Sequence, residues 1–124
     1  MKNLLLIFLL ISFNVFAVNN KHSLSLVEIK IRGFEIKISK NCIKSRNCDA
    51  LMSFTDLTES KYEKIKDSVY GGRTAGDQIC RELYKAEILY HKDKSGNETH
   101  FCKFKDGSYL ETDYYGLIVN TFSE

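Results

Sequence analysis

The chain has 124 residues, 44% of them hydrophobic and 27% charged, a balance that fits a globular protein rather than a disordered one. Eighteen Lys and Arg against sixteen Asp and Glu leave a formal charge of +2 with no long block of either sign, so charge makes no case for nucleic acid or an anionic membrane as partner. No stretch reaches the roughly 20 apolar residues that cross a bilayer.

Residues 1–17 read as a secretory signal peptide. Lys2 precedes an apolar stretch from Leu4 to Phe13, and Val15-Phe16-Ala17 puts small residues where a signal peptidase inspects them. Cleavage is expected after Ala17, leaving 18–124 as a single exported domain, periplasmic or secreted. No cysteine stands at the start of the mature part to carry a lipid anchor.

From Leu24 to Ser39 apolar residues alternate on both sides of Arg32-Gly33. Folded as a hairpin, Ile31 meets Phe34, Ile29 meets Ile36 and Val27 meets Ile38 on one face. Lys30 then meets Glu35 and Glu28 meets Lys37 on the other, so the register is consistent on both faces. Arg32 is poorly suited to a turn that wants positive φ at both centres, which leaves one long strand bent at Gly33 as the alternative. Asn41 to Asn47 reads as a short loop. Asp56-Leu57-Thr58-Glu59 has the form of a capping box opening a helix to about Val69, with Tyr62, Ile65 and Val69 on one side and Gly71-Gly72 ending it. Thr74 is placed to cap a second helix that turns Ile79, Cys80, Leu83 and Tyr84 to the core. Ala86–Tyr90 and Thr99–Phe104 read as strands of a second hairpin, and Asp106-Gly107-Ser108 as a tight turn into Tyr109–Thr112, a three-stranded meander in all. Tyr114–Val119 suits either strand or helix. The expected fold is a small α+β domain.

Four cysteines, Cys42, Cys48, Cys80 and Cys102, in an exported small domain argue for two disulfides, and three pairings are open. Cys42–Cys48 with Cys80–Cys102 is favoured, because the second bridge ties a helix to a strand within one C-terminal unit. No CxxC occurs, and His22, His91 and His100 have no ligand spacing among themselves, so neither a metal site nor a cofactor is expected. His91 and His100 flank a turn, however, and on paired strands they would come across from each other.

The segment from Gly71 to Tyr115 resembles a family of small exported bacterial proteins catalogued as domain of unknown function 333, some members of which carry a hemolysin label. The resemblance rests on Cys80 followed by Phe101-Cys102-Lys103-Phe104-Lys105-Asp106-Gly107-Ser108, similar to that family's Cys-x-Phe/Leu-x-Asp-Gly-Ser. The chain departs from it at Thr74-Ala75-Gly76-Asp77, where the family has Asn-Pro-x-Ser, at Tyr84-Lys85, where it has Gly-Gly, and at Leu110, where many members have a cysteine. The resemblance implies an exported domain with Cys80 and Cys102 paired.

Asp106, Gly107 and Ser108 are the one polar motif that qualifies as a candidate binding feature, although the same residues are what a tight turn requires. The C-terminal aromatics, Tyr84, Tyr90, Phe101, Phe104, Tyr109, Tyr114 and Tyr115, belong mostly to a core, with some left for a binding surface. Ser108 lacks the Gly-x-Ser-x-Gly setting of a nucleophile, and no paired carboxylates suggest catalytic residues. The sequence therefore points to a non-enzymatic binding module for a protein or envelope component. The alternatives are a small secreted hydrolase or toxin-like effector, and a structural protein whose hairpin edge at 24–39 pairs with a partner strand.

Overall fold

The alternating pattern of 26–39 closes as a hairpin of β1 (Leu26–Ile31) and β2 (Phe34–Ser39) in the computed structural model, which describes residues 24–44, 47–67 and 74–122. The pairs are those expected on both faces, from Ile31 with Phe34 to Glu28 with Lys37, and the single bent strand is excluded. Arg32 and Gly33 both take positive φ, 55° and 80°, as a two-residue turn between right-twisted strands demands. Arg32 tolerates this because its side chain is held elsewhere. Its Nη1 donates to the carbonyls of Phe54 and Leu57, each at 2.9 Å.

Those carbonyls lie at the end of helix α1 (Asp49–Asp56), the main departure from expectation. Asp56 does not open a helix; it closes one. Leu57 is extended (φ −66°, ψ 119°), and Thr58 caps a separate short helix, α2 (Glu59–Glu63), its Oγ1 accepting from Lys61 N at 3.3 Å. Asp and Thr both suit an N-cap, so the local signal was shifted by two residues. Helix α1 itself has little local signature, because its start is capped from far along the chain, as described below. Val69 and Gly71-Gly72 lie outside the described residues.

Thr74 does cap helix α3 (Ala75–Gln78), accepting from Asp77 N at 3.2 Å, and the helix runs on into a wider π-type turn over Ile79–Leu83. Gly76 is obligatory here in a different sense from a turn glycine: a Cβ would stand 2.1 Å from the carbonyl oxygen of Thr112. The meander follows as β3 (Glu87–Lys92), β4 (Glu98–Lys103) and β5 (Tyr109–Glu111), and 113–121 form helix α4 (Asp113–Thr121). Hairpin and meander join through Ile38 and Leu110, giving one five-stranded antiparallel sheet in the order β1-β2-β5-β4-β3. Beyond that short contact the hydroxyl of Tyr114 takes the place of a strand neighbour, accepting from Lys37 N at 3.0 Å.

The helices cover one face of the sheet. Ile36, Ile38, Ile88, Cys102 and Leu110 from the strands meet Phe54, Leu57, Ile79, Tyr115 and Ile118, all nearly or fully buried. Two disulfides staple this layer, Cys42–Cys48 closing the loop before α1 and Cys80–Cys102 joining the turn after α3 to β4. The protein is thus a small α+β domain with the expected bridges, and among the described residues no helix is long and apolar enough to cross a membrane.

Candidate functional site

The Asp106-Gly107-Ser108 motif forms the tight turn between β4 and β5, with Gly107 at φ 85°. Asp106 Oδ1 accepts from Ser108 N (2.9 Å) and Ser108 Oγ (2.5 Å). The turn also reaches across the molecule: Asp106 Oδ2 accepts from Asp49 N at 2.7 Å, and Ser108 Oγ from Ala50 N at 2.9 Å. These are the first amides of α1, which have no partner within the helix. Cys48 Sγ accepts the next, from Leu51 N. Burial opposes ionisation of Asp106, but the hydrogen bonds from Ser108 and Asp49 outweigh it and hold the carboxyl below its usual range. The motif is therefore committed to the start of α1.

A second polar cluster lies where α3 meets the sheet. Asp77 is almost fully buried; its Oδ1 accepts from Thr112 Oγ1 at 2.8 Å, and its Oδ2 lies 2.7 Å from His100 Nδ1. A carboxylate so placed fixes the imidazole with its proton on Nδ1 and directs Nε2 away. The His100 side chain stays 30% exposed, Nε2 lies 4.0 Å from Glu98 Oε1, and the Tyr90 ring stands edge-on at 4.7 Å. His91 takes no part. The register pairs Tyr90 with His100 and His91 with Thr99, so the two histidines point to opposite faces rather than across from each other. His91 instead meets the ring of Phe101 on the outer face, where Phe101 also packs edge-on to Tyr109. Among the described residues no group of three or more His, Cys, Asp or Glu is gathered to hold a metal.

Between α1 and the ends of β3 and β4 runs an open groove of about 910 Å³. Met52, half exposed, Tyr84 and Phe104 give it an apolar floor. Asp49 and Asp56 edge it from α1; opposite stand Lys85, Lys103 and Lys105, with Glu87 paired across the strands to Lys103. The floor is firmly set. Tyr84 Oη donates to Ser53 O at 2.7 Å, its ring lies 5.8 Å from that of Tyr115, and Tyr115 Oη meets Ser53 Oγ, which donates to Ala50 O. Burial, aided by the Asp56 carboxylate, raises the Tyr84 phenol above its ordinary value, so its hydrogen bond to Ser53 O persists into alkaline solution. An open apolar floor edged by acids on one side and mainly by lysines on the other suits an extended peptide segment better than a small polar substrate.

Sequence reasoning picked out the turn motif and Tyr84, Tyr90 and Phe104, but neither the groove nor the partnership of Asp77 with His100. No local signal marks either, since Asp77 and His100 stand 23 positions apart. Compared with protein-family models, curated proteins and solved structures, the chain matches none.

Proposed function

We propose that the chain is an exported bacterial binding module of the cell envelope, periplasmic or secreted, which holds an extended segment of a partner protein in the groove beside α1. The observation that carries this is an apolar floor that includes the half-exposed Met52, edged by Asp49 and Asp56 on one side and by three lysines and Glu87 on the other. Export is supported by the apolar stretch at 4–13 and by two disulfides, which persist in oxidising compartments. The protein recovered from the exporting cell should begin at Val18. Peptides selected from a random library on the immobilised protein should carry an apolar residue near charges, and Met52→Asp should weaken their binding by about tenfold or more without lowering thermal stability. Peptides that bind the variant equally, or no selected peptides at all, would sink the reading.

A second reading, a small hydrolase or toxin-like effector, is favoured by one arrangement. A carboxylate at Nδ1 that orients a partly exposed imidazole is how a general base is held. If His100 acts so, turnover of some chromogenic ester, phosphoester or glycoside must disappear in His100→Gln; activity that survives the change removes this reading.

A further inference from the structure

Strand β1 is an outer strand of the sheet, and its pairing with β2 determines which backbone groups are already used. Lys40 N donates to Ser25 O at 3.0 Å, one step beyond the Leu26–Ser39 pair. In an antiparallel ladder the bonded residues alternate, so Val27, Ile29 and Ile31 turn their amides and carbonyls to β2, and Leu26, Glu28 and Lys30 turn theirs outward. On the other side of β2, Lys37 N reaches Tyr114, which agrees with the same alternation. The side chains add a second pattern. Val27, Ile29 and Ile31 are only half-buried along the helix-covered face, whereas Glu28 and Lys30 are exposed on the other. A six-residue outer strand with no proline and an apolar row of this kind is a template for another strand.

We propose that the partner is β1 of a second copy, paired antiparallel about a two-fold axis through Ile29, so that two sheets become one. Charge selects the occupant and the register. Outward-facing groups bond only when even-numbered residues of β1 oppose even-numbered residues of the other strand. Centring the pair on Glu28 sets Glu28 against itself, and centring it on Lys30 sets Lys30 against itself; like charges directly opposite destabilise a pair of strands. Centring it on Ile29 sets Glu28 opposite Lys30 twice, with Ile29 facing Ile29 and Val27 facing Ile31 on the apolar side. Because Glu28 already faces Lys37 and Lys30 faces Glu35 within each hairpin, the joined sheet carries rows that alternate in charge across the axis. The other outer strand offers no such match. In β3 the bond from Asp93 N to Asn97 O marks Ile88, Tyr90 and Lys92 as outward-facing, and none of them is an acid to meet Lys92. The groove lies at the β3 side of the sheet, so a β1 dimer leaves it open.

Sedimentation equilibrium of the protein with both disulfides intact should find a dimer. E28K and K30E should each weaken it roughly tenfold or more, and mixing the two variants should restore it, since every pair across the axis is then of opposite charge. A second set of variants does not depend on charge. Ile29→Cys should form a disulfide with its own copy, whereas Val27→Cys and Ile31→Cys should cross-link to each other in a mixture and not alone. A monomer at all concentrations, a dimer that both charge variants leave intact, or a dimer in which Ile29→Cys fails to cross-link would overturn the proposal.

Discussion

Asp106 and Ser108 close a turn and, through the same two side chains, supply the hydrogen bonds that the first amides of α1 lack. Replacing either with Ala should cost about 1 kcal/mol, the usual loss for a helix cap, measured by chemical denaturation at neutral pH. The double variant should cost less than the sum, because the two groups bond each other. Asp106 also has a pH signature. Its folded-state value lies below the ordinary 3.8, so its contribution is complete above that value and is lost as pH falls through the lowered one. Asp106→Asn should flatten the acid limb of the stability curve; a limb unchanged by the substitution would mean that other carboxylates carry it. The turn was legible in the sequence, since Asp, Gly and Ser each meet a local requirement. Its second duty was not, because Asp49 and Ala50 lie 57 and 58 positions away.

The strands of this fold carry a clearer local signature than its helices. The β1–β2 register follows from a period of two with matching charges, which needs no information beyond 26–39. Helix α1 is only eight residues long, too short to be stable by propensity, and depends on caps and burial supplied by β5 and the turn before it. Likewise 113–121 became helical because β5 ends at Glu111 and the chain turns back over the sheet, placing Tyr115 and Ile118 in the core. The bridges act at this scale. Cys80–Cys102 spans 22 positions and Cys42–Cys48 spans six, so in the chain-entropy account they contribute about 3 and about 2 kcal/mol. Thermal unfolding of the paired Cys→Ser variants should therefore rank the loss of Cys80–Cys102 as the more damaging; the reverse order would place the strain or packing of the α1 loop above chain entropy.

For the whole molecule, the network that joins α1, the Tyr84 turn and α4 sets an alkaline limit. Burial raises the phenols of Tyr84 and Tyr115 above their ordinary 10.0, with Asp56 adding to the first and the Ser53 hydrogen bond partly offsetting the second. Neutral phenols are favoured in the fold, so their contribution is complete below 10.0 and is lost as pH rises through the raised values. Tyrosinate absorbance should accordingly rise in two stages, exposed rings first and these two only on unfolding, and Tyr115→Phe should simplify the second stage. A single smooth titration with retained structure would contradict this.

The register of a hairpin over 26–39, the meander and the α+β class were legible before folding, because each rests on short-range periodicity or turn chemistry; a single bent strand stayed open beside the hairpin, and the cysteine count favoured one of three pairings without fixing it. That the bent strand gives way to a hairpin, that the two β units share one sheet, where α1 begins and that Asp77 holds His100 emerge only from the folded chain. Those features depend on contacts between residues far apart in the chain, and hydrogen bonds of that kind leave no periodic trace in the elements they join.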